Sequence, residues 1–88
     1  MASETTEQRE ARARAVVASL TPGDMVRVCA EPMEWDGAPM RSHEADRAGA
    51  TGMFERPSSV NATRCWVWFG DRSVYCDGHN LTKLEDWR

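Results

Sequence analysis

Cys76, Asp77 and His79 lie close together near the C-terminal end of the sequence, and their types and spacing suit a thiol–imidazole pair. In such a pair the histidine takes the thiol proton and the cysteine becomes a nucleophile. Catalysis would also need an oxyanion site and a cleft that excludes water, for which a chain of 88 residues offers little room. The predicted strand register turns Cys76 toward the core, and His79 falls in a surface turn. We therefore expect no catalytic residues and no enzyme.

The cysteines and a histidine raise a second alternative, a zinc site built from Cys29, Cys65, Cys76 and His79. Structural zinc sites usually carry their ligands in closely spaced pairs, and the sequence contains no C-x-x-C pair. An odd number of cysteines without a secretory signal favours reduced thiols and a cytoplasmic location. The sequence therefore predicts cysteines that act as small apolar residues, with no metal and no cofactor.

Aromatic residues are the main anomaly of the composition, because four of the 88 residues are Trp, against one Tyr and two Phe. Trp66, Trp68 and Tyr75 fall on one face of a predicted hairpin. Trp and Tyr dominate the energetics of protein interfaces, so this face is a candidate surface for binding a partner. Arg64 and Arg72 would provide contacts at its rim that orient the partner. The alternative is that the N-terminal helix of the chain covers the face.

Two further Trp residues fall outside the predicted strands. Trp35 lies between Glu34 and Asp36 in a long loop, where it either anchors a partner or holds the loop against the domain. Trp87, next to the C-terminus, either caps the floor of the domain or contacts a second copy of the chain. We include Trp35 among the candidate partner-binding residues.

A helix is predicted over residues 4–20, ahead of these candidate residues. Thr5 and Gln8 have the spacing of a capping box, in which each side chain bonds the backbone of the other residue. Val16, Val17 and Leu20 follow helical spacing and give the second half of the helix an apolar stripe. The Pro and Gly at positions 22 and 23 end the helix in a turn.

Five short strands are predicted after the helix, over residues 25–30, 50–55, 64–69, 73–76 and 81–85. The aperiodic segment 31–48 forms a long loop between the first two, and such loops are usually functional or mobile. Gly70 and Asp71 suit a two-residue type II′ turn, which fixes the register of the hairpin around them. That register pairs Trp66 with Tyr75 and Cys65 with Cys76.

Inward-facing apolar residues of these strands form the predicted core. They are Val26, Val28, Phe54, Cys65, Val67, Phe69, Val74, Leu81 and Leu84. One helix followed by five short strands fits a mainly β fold, a small bent barrel, because closure removes exposed strand edges. We therefore divide the chain into an N-terminal helix over residues 1–21 and a barrel over residues 22–88.

Four segments resemble those of bacterial SH3-like barrels. Residues 22–28 (PGDMVRV) look like the opening strand of that fold, and residues 49–54 (GATGMF) look like its second strand. Residues 66–71 (WVWFGD) resemble its hairpin, and residues 80–85 (NLTKLE) resemble its closing segment. Similar barrels occur in KOW-type domains, in the variable chain of ferredoxin–thioredoxin reductase and in the β-subunit of nitrile hydratase. The resemblance implies a five-stranded SH3-like barrel that binds or braces another macromolecule.

Charge bears on the kind of partner. The net charge is −3, and residues 21–88 hold eleven acids against eight bases, which opposes binding to phosphates. No apolar run approaches the ~20 residues of a membrane span, so we expect no membrane partner. We expect a non-enzymatic protein-interaction module, such as an accessory subunit, adaptor or small inhibitor of a bacterium or its phage. The alternatives are a single-stranded nucleic-acid-binding barrel of the KOW-like or Sm-like kind and, for the oligomeric state, a homodimer.

Overall fold

The computed structural model describes residues 5–34, 40 and 43–84. The expectations for Trp35 and Trp87 lie outside these residues. The helix α1 spans Thr6–Ser19. The predicted capping box at its start is confirmed, because the Gln8 N–H donates to Thr5 Oγ1 at 3.1 Å and the Thr5 N–H donates to Gln8 Oε1 at 2.9 Å. No helix in the described part of the chain is long and apolar enough to cross a membrane.

The described residues form five strands, in the predicted order and close to the predicted positions. They are β1 Met25–Val28, β2 Thr51–Pro57, β3 Arg64–Trp68, β4 Ser73–Asp77 and β5 Leu81–Lys83. β1 ends two residues earlier than predicted, and β2 runs two residues further. The register of β2 against β3 shifts by one residue at an irregularity between Phe54 and Arg56, and the pairing continues to Pro57. The prediction of a mainly β domain with one helix is confirmed.

All neighbouring strands are antiparallel, in the order β4-β3-β2-β1-β5. β4 and β5 lie at opposite edges, yet only the 3₁₀ turn Gly78–Asn80 connects them. In a flat sheet these edges would be about 19 Å apart, at ~4.8 Å per strand spacing. The four residue steps from Asp77 to Leu81 reach at most about 14 Å, even fully extended. The sheet must therefore curl strongly.

The predicted register of the β3–β4 hairpin is confirmed, with Trp66 opposite Tyr75 and Cys65 opposite Cys76. The Phe69 N–H donates to the Arg72 carbonyl at 3.1 Å across the turn. Gly70, the first central residue of that turn, has φ of +96°, which L-residues with a side chain rarely adopt. The turn chemistry thus places Trp66 and Trp68 on the face opposite Cys65 and Val67.

The core lies on the concave side of the sheet, and seven of the nine predicted core residues are buried there. These are Val26, Val28, Phe54, Cys65, Val67, Val74 and Leu81, joined by Cys76, Val17 and Leu20. The prediction was wrong for Leu84, which is only half-buried, whereas Phe69 is half-buried but packs against the core. Both residues lie just beyond the end of a strand, at the rim of the sheet. The guanidinium of Arg47 lies 5.3 Å from the Phe69 ring.

The helix packs on this same concave side, against the 3₁₀ turn between β4 and β5. A Cβ atom on Gly78 would lie 2.6 Å from the Ala13 carbonyl oxygen and 2.9 Å from Val17 Cγ2, so the helix approaches the turn very closely. Val17 and Leu20 are part of the core. The apolar stripe of the helix therefore packs on the concave side of the sheet and does not cover the face that carries Trp66 and Trp68.

Candidate interaction surface

The convex face of the hairpin carries the three aromatic residues that the sequence analysis selected. The ring centroids of Trp66 and Tyr75 are 4.9 Å apart, with the planes tilted by 53°. Trp68 keeps 39% of its surface exposed, and Trp66 and Tyr75 are half-buried. The Tyr75 hydroxyl and Ser58 Oγ are 2.8 Å apart, so a hydrogen bond fixes the tyrosine ring. The three side chains form one aromatic surface, which we call the aromatic face.

Methionines extend the aromatic face across the neighbouring strands. The register places Met53 of β2 opposite Trp68, and Met25 of β1 opposite Met53. Met53 is 38% exposed and Met25 is half-buried. Trp68, Met53 and Met25 therefore form an apolar row over three strands. This row could not be predicted from the sequence, because turn chemistry fixes the register of the β3–β4 hairpin but not that of β1 and β2.

Arginines lie against two of the aromatic rings. The guanidinium carbon of Arg56 lies 5.2 Å from the Trp66 ring centroid, and that of Arg64 lies 5.8 Å from the Tyr75 ring centroid. Arg64 Nε also lies 3.6 Å from Asp77 Oδ2. The distances of 5.2 Å and 5.8 Å between guanidinium and ring are within the range of attraction between a cation and an aromatic ring. Arg64 therefore borders the aromatic face, and Arg56 is an additional residue there.

Arg72, the other predicted rim residue, lies apart from the rings. Its Nη1 is 3.4 Å from His43 Nδ1, in the loop between β1 and β2. His43 also lies 4.0 Å from Asp46. Arg72 thus lies beside the long loop, and the structure does not bring it to the aromatic rings as it does Arg64.

A groove of about 340 Å³ separates the hairpin from the long loop. Trp66, Tyr75 and Ser73 line it on the hairpin side, and Met40 and His43 line it on the loop side. Glu34, Arg64 and Val74 complete the described lining. Ligand sites typically span ~300–1,000 Å³, so this groove falls at the small end of that range.

The described parts of the long loop are attached to the sheet at several points. The Asn80 side chain makes two hydrogen bonds of 3.2 Å with Met33, accepting from its N–H and donating to its carbonyl. Arg47 Nη2 lies 2.6 Å from Asp71 Oδ2, which joins the loop to the hairpin turn. These contacts position the wall of the groove.

Glu44 makes the most buried of these attachments, with none of its surface exposed. Its Oε2 accepts hydrogen bonds from the Asp77 N–H at 3.0 Å and from Asn80 Nδ2 at 3.2 Å. Burial raises the pKa of Glu44 to about 7, against the lowering effect of these bonds and of Arg64. The nearby Asp77 carboxylate adds to the rise. Glu44 was not predicted as a buried residue, because it occurs in a charged, aperiodic segment that resembles a solvated loop.

His79 is buried rather than exposed in a surface turn, so that prediction was wrong. Its side chain is 6% exposed, and its Nδ1 lies 2.8 Å from Asp77 Oδ1. Asp77 Oδ1 also accepts the His79 backbone N–H at 3.1 Å and so caps the 3₁₀ turn. The cap draws the imidazole inward beside the carboxylate.

The cysteines do not form a nucleophilic site with this histidine. Cys65 and Cys76 are fully buried in the core. Burial raises the pKa of the Cys65 thiol to about 12 and raises that of Cys76 as well, with the nearby Glu44 carboxylate adding to both. Cys29 is half-buried, and its thiol lies 3.6 Å from Asn80 Oδ1. Thiols with raised pKa values are poor nucleophiles at neutral pH.

No group of three or more His, Cys, Asp or Glu residues in the described part of the chain is arranged to hold a metal ion. Comparisons of the chain with protein-family models, curated proteins and solved structures find no match. The fold and the surface therefore carry the functional argument. They define a small β domain with one helix, an aromatic face and a groove beside it.

Proposed function

We propose that this chain is a non-enzymatic protein-interaction module that binds a partner protein through the aromatic face. The observation that carries the proposal is the position of the helix. Its apolar stripe is used in the core, so the chain leaves Trp68 and Met53 more than a third exposed on a rigid sheet. Rigid aromatic side chains bordered by arginine are the usual centre of protein interfaces.

The fold of the proposed module is an SH3-like barrel. Two observations support this. First, β5 returns to pair with β1, so that the first and last strands of the chain are neighbours. Second, the short Gly78–Asn80 turn between the two edge strands forces the sheet to curl toward closure. The sequence resemblance over four segments points the same way. The biological role in keeping with such a module is an accessory subunit, an adaptor or a small inhibitor.

Binding of single-stranded nucleic acid is the second candidate function, and one observation favours it. Arg56 and Arg64 lie beside the Trp66 and Tyr75 rings, a combination that also serves base stacking. However, each guanidinium occupies space beside the ring on which a base would stack. The net charge of −3 also opposes attraction to phosphates. A protein partner therefore fits the aromatic face better than single-stranded nucleic acid does.

The test is to replace Trp68 with Thr and compare the proteins that co-purify with the tagged chain from its native cells. Thr preserves strand propensity while removing the indole. We expect Trp68→Thr to fold and to lose the specific partner. The matched control is Val60→Thr, since Val60 is 87% exposed in the connection between β2 and β3.

The outcome against the proposal is a folded Trp68→Thr protein that retains every partner of the wild type. Retention of wild-type protein on single-stranded RNA or DNA at low salt, lost at high salt, would favour the nucleic-acid alternative instead.

A further inference from the structure

The hydrogen-bonding pattern of the β3–β4 hairpin determines which backbone groups of β4 point away from it. Phe69 and Arg72 form a hydrogen-bonded pair next to the turn. Hydrogen-bonded and non-hydrogen-bonded pairs alternate along an antiparallel ladder. The backbone N–H and C=O groups of Val74 and Cys76 therefore point toward β3, and those of Ser73, Tyr75 and Asp77 point outward.

β4 is an edge strand, so the outward-pointing groups have no neighbouring strand. Glu44 confirms that these backbone groups point away from β3, because its carboxylate accepts the outward-pointing N–H of Asp77. The backbone groups of Ser73 and Tyr75 make no such bond within residues 5–34, 40 and 43–84. They leave two residues of open edge, spaced as the hydrogen-bonded residues of an antiparallel strand are.

This open edge lies along the groove. Ser73 and Tyr75 line it on the hairpin side, while Met40 and His43 line it on the loop side. The edge is therefore recessed behind the long loop. In a second copy of the chain the same loop flanks the same edge, so two such edges would have to accommodate both loops in order to pair. A single extended peptide is narrow enough to enter.

Charge and surface chemistry define the peptide further. Among the ionisable groups that line the groove, Arg64 is the one fixed beside the aromatic rings, through Tyr75 and Asp77. A side chain next to Tyr75 on the convex face would contact the Trp66–Tyr75 pair. Because side chains on one face of a strand recur every second residue, the next position on this face lies beside Asp77, which already pairs with Arg64 and where Glu44 closes the edge, so the apolar contact defines the peptide.

We propose that the partner binds as an extended peptide segment that pairs with the β4 edge through the backbones of Ser73 and Tyr75. It places an apolar side chain on Trp66 and Tyr75. This is strand addition, in which backbone hydrogen bonds give affinity and side-chain pockets give specificity. The inference rests on the proposed function, since it specifies how a protein partner is bound.

The probe is a phage-displayed library of random linear peptides, panned against the full-length chain. The tightest clone is synthesised and titrated into isotope-labelled protein while amide hydrogen exchange is followed. We expect the Ser73 and Tyr75 amides to exchange at least about tenfold more slowly when the peptide is bound. The Val74 amide already bonds to β3, so its exchange should change less.

Ser73→Pro removes the outward N–H, and proline is tolerated in an edge strand where the N–H faces solvent. We expect it to weaken peptide binding by roughly tenfold or more. Ser73→Ala is the matched control, because it removes the hydroxyl that donates to Glu55 but keeps the N–H. Lys83→Pro, on the opposite edge strand β5, controls for proline itself. Both controls should bind as the wild type does.

Several outcomes would overturn the inference. These are the absence of any enriched peptide, equal binding by Ser73→Pro and wild type, or no added protection at Ser73 and Tyr75. A dimer of the wild type that Ser73→Pro dissociates would also overturn it, in favour of a second copy. If Ser73→Pro keeps the native partner while Trp68→Thr loses it, only the strand-addition inference fails. If both variants keep the native partner, the proposed function fails as well.

Discussion

The carboxylate of Glu44 receives the backbone N–H of Asp77 at 3.0 Å, although the two residues are 33 positions apart in the sequence. This buried contact attaches the long loop to the last residue of β4. It also closes one end of an otherwise open strand edge. The position of the groove wall thus depends on a carboxyl group whose pKa is raised to about 7.

That pKa predicts how stability depends on pH. Between the ordinary value of 4.5 and about 7, the folded protein keeps a proton on Glu44 that the unfolded chain releases. The stabilisation from Glu44 is therefore complete below pH 4.5 and is lost as the pH rises through 7. The pKa shift of Glu44 corresponds to roughly 3 kcal/mol of unfolding free energy, at ~1.4 kcal/mol per pKa unit. Urea unfolding across this pH range measures it.

Glu44→Gln provides the control for this pH dependence, because the amide oxygen keeps an acceptor near Asp77 and does not titrate. We expect the fall in unfolding free energy between pH 4.5 and 7 to be smaller in Glu44→Gln than in the wild type. Parallel pH profiles for the two proteins would show that Glu44 titrates normally.

The three thiols should differ sharply in reactivity. In the folded protein at neutral pH, we expect an alkylating reagent to modify Cys29 first, since Cys29 is half-buried and Cys65 and Cys76 are fully buried. The raised pKa values of the two buried thiols slow their reaction further. Peptide mass spectrometry over time, with and without urea, measures the three rates. Fast modification of Cys76 in native protein would instead restore it as a candidate nucleophile.

Gly78→Ala tests where the helix lies. The added methyl group would overlap with the Ala13 carbonyl and contact Val17 closely, so the helix or the turn must shift. We expect a loss of about 1–3 kcal/mol in unfolding free energy, the usual cost of overpacking. Ala18→Gly, at an exposed position of the same helix, is a comparison of known cost, ~1 kcal/mol. A Gly78→Ala protein as stable as the wild type would mean that the helix does not pack on this turn.

Neighbouring residues of β3 test the assignment of its two faces. Val67→Thr places a hydroxyl in the core, where Val67 has no exposed surface, and we expect a cost of about 1–3 kcal/mol. Trp68→Thr acts on the convex face, where Trp68 is 39% exposed, so its cost should lie below the roughly 3–5 kcal/mol of removing a Trp from a core. Thermal and urea unfolding of the two variants gives the comparison. A larger loss for Trp68→Thr would assign Trp68 to the core.

Local turn chemistry explains why the hairpin could be predicted from the sequence. Gly70 and Asp71 specify a two-residue turn, and a two-residue turn fixes every pair in the strands it joins. Alternation along β3 then separates Trp66 from Val67. The aromatic face and the cysteine pair of the core follow from these local facts alone.

Features that depend on distant residues could not be predicted. Glu44 and His79 are both buried because Asp77 binds them, and nothing in the segments around Glu44 indicates that partner. The helix stripe would fit either face of the sheet equally well by its spacing. The placement of the helix depends on the glycine at position 78, because a side chain there would overlap with the Ala13 carbonyl. Long-range packing, rather than the periodicity of the sequence, determines the burial of Glu44 and His79 and the position of the helix.

The most direct test of the aromatic face as a binding surface is photo-crosslinking in native cells, with a photoreactive phenylalanine derivative at position 68. The control carries the same residue at the exposed position 60, away from that face. The account predicts a discrete adduct at position 68 that contains a second protein, and no comparable adduct at position 60. An adduct with nucleic acid alone, or the same yield of adducts at both positions, would contradict it.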